Sequence, residues 1–166
     1  MRIRTERAGD FAQIRTVVTE AMRLLPQASG TEAEIIERLR AEGALRLGLV
    51  AEEAGAVVGY LAASEARIGA ESGWGLIGPL AVTPARHRQG IGRALMRAAL
   101  ARLRRRCKGA VLVGDPGYYA RFGFRAGAGL TVGACPPRFI LALPFGAEPP
   151  AGEVYHPPAF GLRQEG

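Results

Sequence analysis

The chain has 166 residues, of which 48% are hydrophobic and 22% are charged, and its formal net charge is +7 with a pI near 10.4. This length fits one domain with a sizeable core, and the positive charge points to an anionic partner such as a nucleic acid, an acidic membrane or a polyphosphate cofactor. Cys107 and Cys135 form no C-x-x-C pair, which argues against a disulfide framework or a zinc knuckle and for a reducing compartment.

We expect neither a secretory signal nor a membrane anchor. The first residues, MRIRTERAGDF, contain no apolar stretch, and no apolar run elsewhere approaches the roughly 20 residues of a membrane span. The expected location is therefore the cytoplasm, with no membrane partner. We also expect a single domain over residues 1–166, on which a proline-rich and mostly irregular tail from about residue 145 to 166 packs.

The first third of the chain predicts an edge strand, two helices and a hairpin. A short alternating start places the edge strand at Ile3. Asp10 is followed by Gln13 at the spacing of a helix capping box, and Thr31 opens a second helix in the same way. The predicted elements are helices from Asp10 to about Leu24 and from Thr31 to about Glu42, and strands Leu45 to Glu53 and Val57 to Ala66, which meet at a turn at Ala54-Gly55.

The remainder of the chain alternates between apolar strands and helices. The run from Leu76 to Val82 is typical of a strand buried on both faces. The helix after Gly92 ends in a basic cluster, Arg104, Arg105, Arg106 and Lys108. We interpret this cluster as a complement to the helix dipole rather than as a nucleic-acid site. Around them the sequence predicts a loop over Gly69 to Gly75, a strand over Ala110 to Gly114, a short helix from Asp115 through Arg121 and a strand over Phe139 to Leu143. This order indicates a mixed α/β fold with one central sheet and helices on both faces.

Several common catalytic motifs are missing. A dinucleotide fingerprint starting at Gly90 would need a small third residue where Leu95 stands, and no GxxxxGK[ST] loop occurs. None of the three serines lies in a GxSxG motif. His87 and His156 lack metal-ligand spacing, so we expect no metal site. A serine hydrolase or a zinc hydrolase is therefore disfavoured.

One strand-to-helix turn is the candidate ligand site. The strand that ends in Val82 passes Pro84 and meets a basic turn containing Gly90 and Gly92, and a helical pattern follows at once. The first N–H groups of a helix are unpaired and carry partial positive charge, so they can hold a phosphate. The sequence therefore predicts a phosphorylated ligand at the end of this strand.

These residues resemble the acetyl-CoA-binding core of the GCN5-related N-acetyltransferases, the GNAT family. The family pattern is an apolar strand with Val-x-Pro, then Gln/Arg-x-x-Gly-x-Gly/Ala, then a helix. The residues that fit this pattern are Val82, Pro84, Gly90 and Gly92. In this register the Gln/Arg position holds His87. A shift by two residues instead puts Gln89, Gly92 and Ala94 in the pattern, and both registers stay open.

A second segment carries the same resemblance. VLVGDPGYYARFGF, from Val111 to Phe124, is similar to the later strand-helix segment of the family, with its Tyr-x-x-x-Gly-Phe ending at Tyr119, Gly123 and Phe124. The segments GPLAV, GDPGYYARFGF and GEVYHPPAF resemble the sequences of one bacterial branch of predicted acetyltransferases. The resemblance covers the chain from about Ile3 to Phe160.

The resemblance implies a mostly antiparallel sheet in which a splayed parallel strand pair holds the cofactor. It implies transfer of the acetyl group of acetyl-CoA to a primary amine of a small molecule or peptide. It also assigns the diphosphate to main-chain amides and the pantetheine arm to the backbone of the preceding strand. The implied cofactor-binding residues are Leu80, Ala81, Val82, His87, Arg88, Gln89, Gly90, Ile91, Gly92 and Arg93.

By the same resemblance, Tyr119 is the candidate general acid for the departing thiolate, and its alternative role is to pack the short helix. The acceptor amine must lose a proton, but the strand from Leu76 to Val82 contains no carboxylate. Glu71, Asp115 or ordered water could accept that proton, and Asp115 is also placed to cap a helix. No base is assigned.

Two other functions remain open at this point. The missing strand carboxylate is compatible with a non-catalytic acyl-CoA-binding or sensing module. The basic cluster is compatible with nucleic-acid binding, although it lacks the interleaved aromatic residues on which single strands stack, so we expect no nucleic-acid partner. Dimers are common among members of the family, and a homodimer is the assembly that the resemblance allows.

Overall fold

The computed structural model describes residues 1–26, 28–127, 129–146 and 148–160. No helix within these ranges is long and apolar enough to cross a membrane. The helices are α1 (Phe11–Met22), α2 (Glu32–Ala41), α3 (Ile91–Leu103) and α4 (Pro116–Tyr119). The strands are β1 (Arg2–Thr5), β2 (Leu45–Glu53), β3 (Ala56–Ile68), β4 (Glu71–Val82), β5 (Gly109–Val113), β6 (Arg125–Ala126), β7 (Leu130–Thr131), β8 (Ile140–Pro144) and β9 (Gly152–Tyr155).

The sheet is mostly antiparallel. Its strands follow the order β1-β2-β3-β4-β5-β8-β6, with β9 paired to β3 and β7. β1 is antiparallel to β2, and β8 is antiparallel to β5 and β6. β4 and β5 are parallel, with Trp74–Leu76 in register with Gly109–Val111, although β4 continues to Val82. The predicted mixed α/β fold, with a mostly antiparallel sheet and a parallel strand pair, is confirmed.

The chain forms two compact units, each built from two segments. The first unit comprises Met1–Ala63 and Pro79–Ala99, and the second comprises Ser64–Gly78 and the described residues from Leu100 onward. Each unit has its own cluster of buried apolar side chains. The expectation of a single domain stays a prediction.

In the first unit, helices cover both faces of the strands. Successive residues of a strand point to opposite faces. Tyr60 of β3 is fully buried in one cluster with residues of α1 and α2, such as Ile14 and Ile36. A Cβ on the neighbouring Gly59 would instead lie 2.9 Å from Cγ2 of Ile91 in α3. The predicted placement of helices on both faces therefore holds within this unit, and glycine at position 59 lets α3 approach the strand closely.

A partly buried polar network connects four elements of the first unit. The carboxylate of Glu6, just after β1, accepts hydrogen bonds from Arg40 Nε of α2 at 2.7 Å and from the Tyr60 hydroxyl at 2.5 Å. Its main-chain N–H donates to Gly48 C=O of β2 at 2.9 Å. Burial, followed by the charge of Glu6, raises the pKa of Tyr60 far above its usual range. All of these groups are paired, so the network holds α2 against the strands.

In the second unit, the apolar cluster lies beneath the tail segment. Trp74 and Leu76 of β4 pack there with Val111 of β5 and Val154 of β9. We expected the tail to be mostly irregular, but Gly152–Tyr155 forms β9, which is antiparallel to the end of β3 and parallel to β7. Residues 161–166 of the predicted tail lie outside the described residues.

The predicted capping box at Asp10 and Gln13 is wrong, although α1 begins where expected. The Asp10 carboxylate accepts two hydrogen bonds from the Arg4 guanidinium, at 2.8 and 2.9 Å, and one from Arg7 N–H at 2.7 Å. Hydrogen bonding to Arg4 lowers the pKa of Asp10 to about 2. The Gln13 amide oxygen accepts from Val57 N–H at 3.0 Å. Both side chains therefore bind partners outside α1 and do not cap the start of the helix.

The cap predicted at Thr31 also differs, because the side chain of Thr31 makes no capping hydrogen bond. Glu32 instead reaches back and accepts from Ser29 N–H at 2.8 Å and Gly30 N–H at 3.1 Å. The end of this helix follows the expected glycine pattern: Gly43 has a φ of 70°.

The loop predicted over Gly69 to Gly75 is wrong. Gly69 and Ala70 form a turn, and β4 begins at Glu71. Trp74 is only 2% exposed, and a Cβ on Gly109 would lie 2.3 Å from its ring. The indole therefore fills space directly over Gly109, and burying this large apolar group extends the strand through a segment whose glycines suggest a loop.

Candidate functional site

The turn between β4 and α3 is held by hydrogen bonds to its own strand end. Thr83 N–H donates to Val58 C=O of β3 at 2.8 Å, which fixes the end of β4. A short 3-10 turn over Pro84–Arg86 follows, in which Arg86 N–H donates to Thr83 C=O at 2.8 Å. The His87 ring contacts Val82 C=O through Nε2 at 2.9 Å. The start of the turn is therefore anchored independently of any ligand.

The start of α3 presents a set of main-chain donors. Its first helical hydrogen bond runs from Ala94 N–H to Gly90 C=O at 3.0 Å. The N–H groups of Ile91, Gly92 and Arg93 precede that bond and have no acceptor inside the helix. The helix dipole adds partial positive charge at the same end. These three amides can hold a phosphate.

Glycine is required at position 90 by its backbone angle. Gly90 has a φ of 83°, a region that residues with a Cβ adopt at a cost. Nothing lies within 4 Å of the place where its Cβ would be, so the reason is conformational rather than steric. Arg88 also has a positive φ, of 63°, so two residues of the turn adopt the left-handed region before the helix begins.

The charged side chains of the turn fall into two groups. Arg86 forms an ion pair with Glu53 and donates from Nη1 to the amide oxygen of Gln89 at 3.0 Å. It braces the turn and its charge is balanced. Arg88 and Arg93 are exposed, and neither forms an ion pair with any residue that the structure describes. These two guanidinium groups are therefore available to an anion.

The backbone of β4 before the turn is the segment implied to carry the pantetheine arm. Ala81 is buried in the cluster of the first unit, whereas Leu80 and Val82 are half-buried. Their side chains are thus largely core, as expected for a segment that offers only main-chain groups. The Val82 carbonyl already contacts His87. β4 is hydrogen-bonded to β3 along one edge, so the main-chain groups of Leu80 and Ala81 that face away from β3 are the ones that can take a ligand.

Tyr119 lies in the second unit, at the end of α4, and is surrounded by aromatic rings. Asp115 caps this helix as expected, accepting from Gly117 N–H at 3.0 Å. The Tyr119 ring packs edge to face against Tyr118 at 4.9 Å and Phe124 at 6.2 Å between centroids. Its hydroxyl makes no hydrogen bond to a described residue. The ring is therefore fixed by packing while the hydroxyl stays available as a donor.

The pKa of Tyr119 favours the protonated phenol. Burial, followed by the nearby Tyr118 and Asp115, raises the pKa of Tyr119 to about 12. The cause is that the phenolate would lose solvation and lie near a negative charge. Tyr119 is therefore a neutral hydrogen-bond donor throughout the physiological pH range.

The two carboxylates considered as bases both have other partners. Glu71 lies at the exposed start of β4, with Oε1 3.9 Å from Lys108 Nζ. Asp115 is engaged in the cap of α4. Neither placement singles out a base, and none is assigned from the structure.

Several contacts of the site were not foreseen from the sequence. The contact between the His87 ring and the Val82 carbonyl and the ion pair between Arg86 and Glu53 are two of them. The residue types alone do not indicate which partner each side chain contacts. The close packing of Tyr119 on Gly114, where a Cβ would lie 2.5 Å from the ring, was also missed. The only signal for it was a glycine at the end of a buried strand.

An acetyltransferase (GNAT) domain family matches residues 45–126, a range that contains both sequence motifs. Among curated proteins, the uncharacterized N-acetyltransferase YhbS of Escherichia coli K12 is 40% identical over 103 residues. That alignment covers 60% of this chain and 62% of YhbS. The match therefore spans less than two thirds of the length of the curated relative.

Two solved structures are similar over almost the entire chain. A GNAT family acetyltransferase from Brucella melitensis, in complex with acetyl-CoA, is 45% identical, with 96% of this chain and 97% of that chain covered and a TM-score of 0.85. YhbS from Escherichia coli, in complex with CoA, is 29% identical, with 96% of this chain and 91% of that chain covered and a TM-score of 0.87.

Proposed function

This chain belongs to the GNAT family of acetyltransferases, and we propose that it transfers the acetyl group of acetyl-CoA to a primary amine of a small molecule or peptide. The family membership agrees with the resemblance of the two motifs. The observation that carries the proposal is the start of α3, where the N–H groups of Ile91, Gly92 and Arg93 follow a left-handed glycine. Such a group of donors suits the diphosphate of a coenzyme A thioester.

We assign the cofactor contacts as follows. Main-chain amides from Arg88 to Arg93 hold the diphosphate, and the exposed guanidinium groups of Arg88 and Arg93 add charge. The backbone of Leu80 to Val82 aligns the pantetheine arm, with the Val82 carbonyl excepted because His87 contacts it. A main-chain N–H near Leu80 would polarise the acetyl oxygen as negative charge develops on it. The Brucella relative with acetyl-CoA and YhbS with CoA support the choice of donor.

The chemical step is a direct attack by the acceptor amine. The nitrogen of the neutral amine forms a bond to the acetyl carbonyl carbon, and the carbon–sulfur bond breaks. Coenzyme A leaves as the thiolate, and the nitrogen releases its second proton to solvent to give the neutral amide. A lysine-like amine has a pKa near 10.4 and must first lose a proton. Tyr119 is the proposed donor to the departing sulfur. Because its pKa of about 12 exceeds that of an ordinary thiol near 8.5, its main contribution is to donate a hydrogen bond that stabilises the thiolate.

Calorimetric titration with acetyl-CoA, followed by mass spectrometry of a panel of amines, tests the proposal. We expect acetyl-CoA to bind in the micromolar range or tighter and at least one amine to gain an acetyl group while CoA is released. Failure to bind any acyl-CoA would overturn the proposal. Tight binding without transfer to any amine would replace it with a non-catalytic acyl-CoA-binding module. Mass spectrometry is preferred to thiol reagents because Cys107 and Cys135 are partly accessible.

The remaining predictions from the sequence concern the setting of this activity. A cytoplasmic location, the lack of a nucleic-acid partner and a homodimeric assembly stay predictions. A band-shift assay that shows no salt-sensitive shift would support the second of these, because phosphate contacts make nucleic-acid binding dependent on salt. Light scattering of the purified protein tests the third.

A further inference from the structure

Gly114 lies directly beneath the ring of Tyr119. It follows β5, and its N–H donates to Phe139 C=O at 2.9 Å, which fixes the backbone there. A Cβ at position 114 would lie 2.5 Å from Cε2 and 3.0 Å from Cδ2 of Tyr119, and 3.3 Å from Cδ1 of Leu112. A contact of 2.5 Å between carbon atoms is strongly repulsive. Any residue other than glycine must therefore displace the tyrosine ring or the strand end.

The requirement for glycine at this position is steric rather than conformational. Gly90 and Gly123 have φ values of 83° and 96°, and glycine is favoured there by the backbone angle itself. Gly114 is not among the residues with a positive φ. Its backbone would accept alanine, so the ring of Tyr119 is the group that most strongly excludes a side chain.

The ring of Tyr119 has little room to move away. Tyr118 lies edge to face against it. The fully buried Phe124 is a second neighbour, with 6.2 Å between the centroids of its ring and the Tyr119 ring. The helix that carries it is fixed by Asp115, whose carbonyl accepts from Tyr119 N–H at 3.1 Å. Rotation of the ring about its Cβ–Cγ bond is opposed by Tyr118 and Phe124. The contact is therefore relieved by displacing the whole ring, which carries the hydroxyl with it.

We propose that Gly114 is a positioning residue for the acetyl-transfer reaction, because the space it leaves sets the location of the Tyr119 hydroxyl. This inference rests on the proposed function. It follows from the packing because a catalytic group that is misplaced by about 1 Å can lose roughly 100-fold in rate. Gly114 touches neither substrate nor cofactor in this role and acts through the tyrosine.

The test introduces Gly114→Ala into three backgrounds: the natural chain, Tyr119→Phe and Tyr119→Ala. In the natural chain, we expect kcat to fall tenfold or more while the Kd of acetyl-CoA stays within twofold. With Tyr119→Phe, the ring remains but the hydroxyl is absent, so Gly114→Ala should change kcat by less than twofold and still destabilise the protein. With Tyr119→Ala, the contact is gone and the destabilisation should disappear.

Stability is followed by the fluorescence of Trp74, which is the one tryptophan in the sequence and is buried in the same unit. Gly9→Ala is the matched control, because nothing lies within 4 Å of its Cβ position and its φ is not positive. It should change neither kcat nor the unfolding midpoint appreciably.

Three results would overturn the inference. The first is an equal loss of kcat from Gly114→Ala in the natural chain and in Tyr119→Phe. The second is a loss of stability that Gly114→Ala still causes in the Tyr119→Ala background. This background also keeps the test valid if Gly114→Ala does not fold in the natural chain. The third is a natural chain that transfers no acetyl group; the stability cycle would then still measure the contact, which separates failure of the function from failure of the packing.

Discussion

The two units of this protein carry different kinds of candidate groups. The first unit offers main-chain N–H groups at the start of α3, and the second offers the hydroxyl of one side chain, Tyr119. Main-chain donors depend on backbone angles and tolerate many side chains, so either register of the family pattern, with His87 or with Gln89 at the Gln/Arg position, leaves the turn intact. A side-chain donor depends on its chemical identity and on the packing that aims it.

Replacing Tyr119 by phenylalanine should have the largest effect, because it removes the hydroxyl and leaves the ring packing intact. We expect kcat to fall by about 10- to 150-fold, because a hydrogen bond to a charged group such as the thiolate is worth roughly 1.5–3 kcal/mol. The Kd of acetyl-CoA should stay within twofold, since the first unit is unchanged. Steady-state kinetics and calorimetry measure the two quantities. Tyr118→Phe is the matched control and should leave both unchanged, whereas an unaltered kcat in Tyr119→Phe would remove Tyr119 from the mechanism.

The next largest effect is expected in the pH dependence of kcat/KM and of the Kd, which should distinguish the Tyr119 hydroxyl from the main-chain amides. Below the pKa of an acceptor amine, kcat/KM should rise about tenfold per pH unit, because only the neutral amine attacks. The raised pKa of Tyr119, about 12, means that its proton is retained as the pH increases, so we expect no falling limb below about pH 11. The Kd of acetyl-CoA, which has no free thiol and is held largely by amides that do not titrate, should change little between pH 8 and pH 10. A falling limb near pH 9.5 would contradict the assignment.

Gly90→Val should weaken acetyl-CoA binding by about tenfold, because a left-handed backbone costs a residue with a Cβ roughly 1–2 kcal/mol. The comparison variant is Arg88→Gly, which removes an exposed charge and suits the left-handed φ of 63° at that position. Its Kd should rise less than threefold if main-chain groups dominate. Calorimetry distinguishes the cases, and a larger effect from Arg88→Gly than from Gly90→Val would show that charge, not backbone, holds the diphosphate.

His87→Ala should have the smallest effect. It removes the contact between the ring and Val82 C=O and so loosens the start of the turn, but it leaves the amides of α3 in place. We expect the Kd of acetyl-CoA to rise about two- to threefold, in line with a single hydrogen bond worth about 0.5–1 kcal/mol. His87→Gln, which can restore a donor, should recover most of the loss. A tenfold change would mean that His87 contacts the cofactor itself.

Much of this fold could be predicted because its signals are local. The hairpin between β2 and β3 was placed correctly, and Ala54 and Gly55 have the positive φ values of 52° and 81° that a two-residue turn requires. The Asp115 cap depends on residues two positions apart. The turn after Val82 and the Tyr-x-x-x-Gly-Phe segment are likewise short patterns, and the resemblance to the family rests on them.

Only the tertiary structure decided which side chains meet. Asp10 is a residue type that commonly caps helices, yet its carboxylate accepts hydrogen bonds from the Arg4 guanidinium instead. The charged partner and the helix N–H groups compete for the same oxygen atoms. Trp74 extends β4 through a glycine-rich segment because its ring is buried over Gly109. The sequence by itself determined the glycine turn before α3, since backbone angles follow from neighbouring residues. The packing of the Tyr119 ring over Gly114 was decided by the tertiary structure, because it is a side-chain contact that no periodic pattern records.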